Sequence, residues 1–186
     1  HFQFASYMSA SKFYKDYALK TNDKTKFLED YNQHVAIVAL YLANGNVKQA
    51  KQFISAMVEQ RYQPATPTFL NAGRARRGEL VSCFLLEVDD SLNSINFIDS
   101  TAKQLSKIGG GVAINLSKLR ARGEAIKGIK GVAKGVLPVA KALEGGFSYA
   151  DQLGQRPGAG AVYLNIFHYD VEEFLDTKKV NADEDL

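Results

Sequence analysis

From about Lys24 to Ala43 the apolar positions Phe27, Leu28, Tyr31, Val35, Val38 and Leu42 recur at helical spacing and predict one amphipathic helix. Asn44-Gly45 supplies its stop, because both residues tolerate the left-handed conformation that ends helices. Val47, Ala50, Ile54, Met57 and Val58 then mark the inward face of a second helix. The two read as a short helical hairpin with a scaffold role.

The pattern changes at Gln63-Pro64-Ala65-Thr66-Pro67-Thr68, where two prolines predict an extended path, followed by a turn at Asn71-Ala72-Gly73. Leu80 to Val88 is an apolar run of strand length and reads as a buried strand. Asp89-Asp90-Ser91 offers acidic and hydroxyl caps to a helix from about Leu92 to Lys107, which Gly109-Gly110-Gly111 stops. Val112 to Leu116 is a second strand. A glycine-punctuated loop spans Gly123 to Gly135, and Pro138 fits the first turn of a helix reaching about Ala150. A second glycine loop, Gly154 to Gly160, feeds a strand over Ala161–Ile166, and Asp170 is placed to cap a short helix through Asp176. Strands alternating with helices imply an α/β fold with a parallel sheet: a helical segment over 1–62 leads into an α/β part over 63–186. A single layer built this way has open edges, which suggests truncation.

Composition narrows the function classes. With 46% hydrophobic and 23% charged residues the chain is globular in character, and its 186 residues suit one domain of ordinary size. The 23 Lys and Arg form no dense block and the net charge is only +3, so no nucleic-acid partner is expected. The cluster Arg74, Arg76 and Arg77 suits either phosphate contacts or plain solvation. No apolar run approaches the roughly 18 residues needed to span a bilayer, so no membrane association is expected. The start, His1-Phe2-Gln3-Phe4, has no initiator Met and no signal-peptide pattern, so the chain is expected to begin inside a longer protein. One cysteine excludes an internal disulfide and a multi-cysteine metal site, and points to a cytoplasmic location.

Candidate chemistry is sparse. Cys83, between Ser82 and Phe84-Leu85-Leu86, reads either as a small buried hydrophobe or as a redox or nucleophilic thiol. A cysteine hydrolase would need a histidine base, but His1, His34 and His168 stand in structural contexts. Gly109-Gly110-Gly111 could leave backbone N–H groups open to a phosphate or sugar, although it is neither a P-loop nor a dinucleotide fingerprint. Arg156, between glycines, could clamp a phosphate or stack on a base; a plain turn is the alternative for each loop. Asp90 reads as a helix cap or as a carboxylate for a ribose hydroxyl, and Arg120 could pair with phosphate.

Taken in order, several segments carry a family resemblance. They are Gln63-Pro64-Ala65-Thr66-Pro67-Thr68-Phe69-Leu70-Asn71-Ala72-Gly73, Gly78-Glu79-Leu80-Val81-Ser82-Cys83-Phe84-Leu85-Leu86 and Ser106-Lys107-Ile108-Gly109-Gly110-Gly111-Val112. Further on come Arg156-Pro157-Gly158-Ala159-Gly160-Ala161-Val162-Tyr163-Leu164 and Phe174-Leu175-Asp176-Thr177-Lys178-Lys179. Together they resemble the large, catalytic subunit of class I ribonucleotide reductases, most closely the class Ib branch, over essentially the whole chain. The fold implied is a helical N-terminal segment followed by the first part of the reductase α/β barrel.

The resemblance implies a role for each matching position. Cys83 matches one of the redox pair that gives electrons to the ribose, becoming a disulfide with a second, distant Cys that a thioredoxin- or glutaredoxin-like protein reduces. Thr66, Ser82, Cys83 and Gly111, with Arg156, match contacts to the substrate. Asp90 and Arg120 match the specificity site, where a (d)NTP effector selects the ribonucleotide, with Ile126 on the effector-contacting loop. Gln152 and Arg156 flank the loop that relays effector identity, an allosteric coupling. The implied partners are a small subunit whose dimetal-tyrosyl centre supplies the radical, the remainder of the large subunit, and a second copy docked through helices near 92–107 and 136–150. The family's radical-bearing Cys, its tyrosine pair and its C-terminal cysteines have no counterpart here, and nothing resembles an ATP-cone. The chain alone is therefore expected not to turn over. The alternative is a non-catalytic nucleotide-binding piece that assembles with a separate downstream half.

Overall fold

The computed structural model describes residues 2–75, 78–108, 110–150 and 159–180. The chain divides into two units, His1–Ser82 and Cys83–Leu186. The first is helical: α1 (Tyr7–Asp16), α2 (Tyr31–Leu42), α3 (Val47–Val58) and α4 (Thr66–Asn71). The second alternates strand and helix: β1 (Cys83–Glu87), α5 (Leu92–Lys107), β2 (Gly111–Asn115), α6 (Leu137–Tyr149), β3 (Gly160–Tyr163) and α7 (Val171–Asp176).

In the helical unit α2 and α3 pack as the expected hairpin, with Val35, Val38, Ala39, Ala50 and Met57 buried. Three details differ from the sequence pattern. The first helix of the hairpin begins at Tyr31 rather than Lys24, because Asp30 and Gln33 form a reciprocal capping box. Upstream, Asp23 accepts hydrogen bonds from Thr21 Oγ1 (2.5 Å), the Thr25 N–H (3.1 Å) and Thr25 Oγ1 (2.8 Å). These bonds, that from Thr21 foremost, hold the Asp23 carboxyl down to about 2 and close a turn where the periodicity had suggested helix. Phe27 and Leu28 consequently lie more than half exposed, and Val47, at the start of α3, is exposed rather than inward.

Secondly, α1 was not legible as a helix, since its apolar stripe is thin and only Phe13 is buried. Ser6 caps it by accepting the Ser9 N–H. Thirdly, the segment around Pro67 is not extended. Pro67 stands in the first turn of α4, where its missing N–H costs no intrahelical bond.

His34 is buried with its two ring nitrogens 2.6 Å from Glu29 Oε1 and 2.5 Å from the Phe69 carbonyl. Glu29 also accepts the Leu19 N–H at 2.8 Å and faces the Arg74 guanidinium, which donates to the Tyr17 carbonyl as well. Arg74 is thus committed to this unit's interior, not to a phosphate. Burial pushes the Glu29 carboxyl up, but the hydrogen bonds from His34 and Leu19 N–H, with the charges of His34 and Arg74, outweigh it and leave it below the ordinary range.

In the second unit the sheet is parallel, in the order β1-β2-β3, with Cys83 opposite Gly111 and Val112 opposite Gly160. This is the expected α/β arrangement. The strand expected over Leu80–Val88 is shorter and is an edge: Cys83, Leu85 and Glu87 are exposed, and Leu85 is 78% accessible. An apolar run of this length does not tell a buried strand from an edge. The central strand β2 is the buried one, with Val112, Ala113 and Ile114 covered. α5 and α6 pack on each other and on the sheet, joining Ile98, Ala102, Leu143 and Phe147 to Val112, Ile114, Leu116 and Val136 in one core. The bounds of α5 are those expected, but its cap is Ser91, which accepts the Ser94 N–H at 3.1 Å, and not Asp90. Asp170 stands at the head of α7 without capping it. The N–H of Gly110 is not open to a ligand, since it donates to the Leu105 carbonyl at 3.4 Å, and the Phe84 ring fills the space a side chain would need there.

Two outcomes follow from this packing. Ile114→Ala should lower the unfolding free energy by about 3 kcal/mol, while Leu85→Ala changes it by under about 1 kcal/mol, read as shifts of the urea midpoint. Because the Glu29 carboxyl is held down in the folded state, its contribution is present above the unfolded value and is lost as pH falls through the folded one. Acid unfolding of the helical unit, followed by circular dichroism, should therefore lose part of its pH dependence in Glu29→Gln.

Candidate functional site

The parallel register places chemistry-bearing residues at the two ends of the strands. At the amino end, Cys83 opens β1 beside Gly111, which opens β2. Side chains of register partners in a parallel pair point to the same face, and Gly111 contributes none. The thiol of Cys83 is exposed, with Leu85 and Ala113 as the next pair along the same face. The reading of Cys83 as a small buried hydrophobe is thereby overturned. Ser82 precedes it and is half-buried. Thr66, in the helical unit, begins α4 and accepts a hydrogen bond from Tyr17 Oη at 3.4 Å.

At the carboxyl end, Asp90 follows β1 and Arg120 follows β2. Asp90 Oδ2 accepts from Arg120 Nε at 2.9 Å and Asp90 Oδ1 from the Arg120 N–H at 3.2 Å. Arg120 Nη1 donates to the Ala125 carbonyl at 3.0 Å. The guanidinium thus links the strand ends to the loop at 123–135, leaving Nη2 without a hydrogen bond among the described residues. Ile126 and Ile129 exchange both backbone hydrogen bonds, at 3.0 and 2.9 Å. The two residues between them, Lys127 and Gly128, have φ of +49° and +78°, the primed hairpin turn that favours glycine at its second position. Ile126 therefore sits at the base of a tight turn that projects from the loop.

Asp90 and Arg120 line an open cleft of about 430 Å³ with Lys118, Glu124, Phe167 and Tyr169. The side chains of Asp90 and Arg120 are each about a third exposed, and Phe167 and Tyr169 are almost fully so. Lys118 reaches Glu87 at 3.2 Å and Asp89 at 3.4 Å, and those hydrogen bonds hold its ammonium above the ordinary lysine value. A cleft with paired charges, spare guanidinium donors and flat aromatic faces has the chemistry to take a sugar, a phosphate and a base. The chain from Cys83 to Asp90 can span at most roughly 25 Å, which bounds the separation of the two ends.

Sequence reasoning missed Asp170 and His168 as parts of this end. The first was expected only to cap a helix, and the second only to be structural. His168 Nε2 donates to the Leu119 carbonyl at 2.7 Å and its Nδ1 accepts the Asp170 N–H at 3.0 Å. The adjacency of the two in sequence was a signal, but what they bind lies 34 to 49 residues away in the chain. Gly109, Gln152, Arg156, Arg76 and Arg77 lie outside the described residues. Among the described residues no group of three or more His, Cys, Asp or Glu could hold a metal ion, and no helix is long and apolar enough to cross a membrane.

The comparisons with known proteins agree with each other. A family model described as the ribonucleotide reductase barrel domain matches residues 81–186, and one described as the ribonucleotide reductase all-alpha domain matches residues 3–77. The chain is 63% identical over 185 residues to ribonucleoside-diphosphate reductase subunit alpha of Bacillus subtilis, covering 100% of the chain and 26% of that protein. It is 52% identical over 185 residues to the subunit alpha of Mycoplasma pneumoniae, covering 100% of the chain and 26% of that protein. Against the ribonucleoside-diphosphate reductase large subunit of vaccinia virus it is 34% identical over 174 residues, 92% of the chain and 22% of that protein. The chain spans about a quarter of the length of these relatives.

The exposure of Cys83 has a direct readout. A chromogenic disulfide reagent should label one thiol per native chain at a rate within about tenfold of that of the urea-unfolded chain. Labelling that requires unfolding would contradict the exposed edge position.

Proposed function

Since the chain belongs to the ribonucleotide reductase large-subunit family, we propose that the protein carrying it reduces ribonucleoside diphosphates to deoxyribonucleoside diphosphates by thiyl-radical chemistry. A bound deoxynucleoside triphosphate sets its choice of substrate. The observation that carries this reading is the sheet register, which sets an exposed thiol against a glycine at one end of β1 and β2 and a charged pair at the other.

Cys83 serves as one of two reducing thiols. With a second cysteine supplied from outside these residues it gives up two electrons and two protons; a sulfur–sulfur bond forms, the ribose 2′-hydroxyl leaves as water, and hydrogen takes its place on carbon. Gly111 leaves room for the sugar beside the thiol. Thr66 and Ser82 offer hydroxyl and backbone donors to the substrate's phosphates, and Arg156 is a further substrate contact. Asp90 receives the effector's ribose hydroxyls, Arg120 its phosphates, and Ile126 packs against it from the loop.

The protein works with a small subunit whose dimetal-tyrosyl centre supplies the radical, and a thioredoxin- or glutaredoxin-like dithiol returns Cys83 and its partner to thiols. It pairs with a second copy of itself through α5 and α6; Leu92 and Phe97, both about 70% exposed on α5, are apolar anchors suited to that contact. The location is cytoplasmic, where dithiol reductants keep such a pair reduced.

The full-length subunit assembled with its small subunit provides the test. Cys83→Ser should bring nucleotide reduction with a dithiol reductant to background. Asp90→Ala combined with Arg120→Ala removes charge-assisted contacts contributing about 1.5–3 kcal/mol, so the effector Kd should rise by roughly ten- to a hundredfold. Effector binding without nucleotide reduction in any assembly would instead favour a non-catalytic nucleotide-binding piece.

A further inference from the structure

Beyond the ends of β2 and β3 their parallel pairing is continued by bonds of a different kind. The Leu116 N–H donates to the Tyr163 carbonyl at 2.8 Å, and the Asn165 N–H to Ser117 Oγ at 2.8 Å. His168 Nε2 donates to the Leu119 carbonyl at 2.7 Å. The last link is the Asp170 carboxylate, only 6% exposed. It accepts the Arg122 N–H at 3.0 and 3.2 Å through its two oxygens and the Val136 N–H at 3.0 Å through Oδ2. Arg122 and Val136 are the residues that flank the loop at 123–135 on its two sides. One buried carboxylate therefore holds both ends of the loop that carries Ile126.

The local sequence is built around this contact. Gly135 has φ +84°, and a Cβ there would stand 2.5 Å from Asp170 Oδ2, so glycine lets the carboxylate reach the amide that follows. The loop is also held by Gly123 N–H to the Ala133 carbonyl at 3.0 Å, Ala133 N–H to the Glu124 carbonyl at 3.1 Å, Arg120 Nη1 to the Ala125 carbonyl at 3.0 Å and, at its first flank, Arg122 Nη1 to Glu173 Oε1 at 2.9 Å. A carboxylate withdrawn from water needs donors, and neither of those that Asp170 meets is a side chain. Asp170 is thus bound to the loop's backbone and to nothing that could be exchanged for another residue's side chain.

We propose that Asp170 is the positioning residue of the 123–135 loop, so that recognition of a nucleoside triphosphate at Asp90 and Arg120 depends on it, with His168 orienting it from behind. This rests on the reading of Asp90 and Arg120 as the effector site. Asp170 does not touch the nucleotide; it sets where Ala125 and Ile126 stand relative to Arg120. It also ties the loop to the segment after β3, so a shift of the loop on binding is passed to that strand.

Asp170→Asn isolates the effect. The amide keeps the shape but loses the charge and one acceptor. With its oxygen in the Oδ2 position it still accepts the Val136 N–H, while its NH2 group is set against the Arg122 N–H, whose shorter bond, that to Oδ1, is lost, so the Arg122 end of the loop is weakened. The full-length subunit, assembled with its small subunit, is titrated with dATP, dGTP and dTTP. In Asp170→Asn the Kd of the tightest of these should rise about tenfold, while the KM for the ribonucleoside diphosphate measured without effector stays within about twofold. A wild-type Kd in Asp170→Asn, when Asp90→Ala has lost binding, overturns the proposal but leaves the effector site standing. Wild-type binding in Asp90→Ala overturns the site itself, and the proposal with it. Should Asp170→Asn not fold, hydrogen exchange on the unaltered protein decides: slowing of both the Arg122 and Val136 amides by the nucleotide supports the clamp. Slowing confined to Arg120 overturns it.

Discussion

Parallel pairing of β1, β2 and β3 is the constraint from which the rest of the second unit follows. A parallel strand cannot return through a tight hairpin; each return needs a crossover long enough to bring the chain back to the starting edge. Here α5 and α6 are those crossovers, and packing them on the sheet buries Val112 and Ile114 of β2 beneath Ile98, Leu143 and Phe147. The same geometry sorts the connections. Segments leaving the strands gather at one end of the sheet and segments entering them at the other, so Asp90, Arg120 and Asp170 meet while Cys83 and Gly111 sit apart from them. The exposed thiol and the Asp90–Arg120 pair at opposite ends of one short sheet are thereby a consequence of topology.

The loop end shows how charge is managed when backbone has to be held without regular structure. Asp170 is buried yet answers to amides, Asp90 answers to both the backbone and the side chain of Arg120, and His168 spends one nitrogen as donor and the other as acceptor. Hydrogen bonds to a charged partner are stronger than neutral ones, and all of these but the one between Asp170 and His168 span a long stretch of chain. They fix the loop at 123–135 at its neck and leave its turn at Ile126–Ile129 projecting. In the helical unit the buried group Glu29, His34 and Arg74 does comparable work, tying α2 to the Phe69 carbonyl of α4 and to the end of α1. An arginine that the sequence offers as a phosphate ligand is consumed there by structure.

The proposed function would give these arrangements a purpose. A reductase that must choose among substrates needs a thiol able to meet a sugar and a separate place to sense a nucleotide. It also needs a stiff element between them. The sheet provides the stiffness, because its central strand is buried and its register leaves no slack. The bonds that continue the β2–β3 pairing past the strand ends extend that stiffness to the loop at 123–135.

Much of this was legible in the sequence because it rests on local chemistry. The bounds of α5 follow from a hydroxyl cap and a run of glycines, the start of α6 from Pro138, the α2–α3 hairpin from apolar spacing around Asn44-Gly45, and the α/β class from the alternation of patterns. The residues that carry the family likeness were also readable as ordered motifs. What the sequence could not decide depended on partners distant in the chain. Whether the apolar run ending in Glu87 was buried or an edge depended on β2 taking the centre, and that order placed Cys83 in the open. Asp90 was free to be a cap until Ser91 took that bond and Arg120 took the carboxylate. Asp170, equally placed to cap α7, is instead drawn by the folded sheet to the Arg122 and Val136 amides. Caps, turns and periodicity are settled by neighbours within a few residues and so are written in the sequence; the direction in which a carboxylate turns is settled by whichever donor tertiary packing brings nearest.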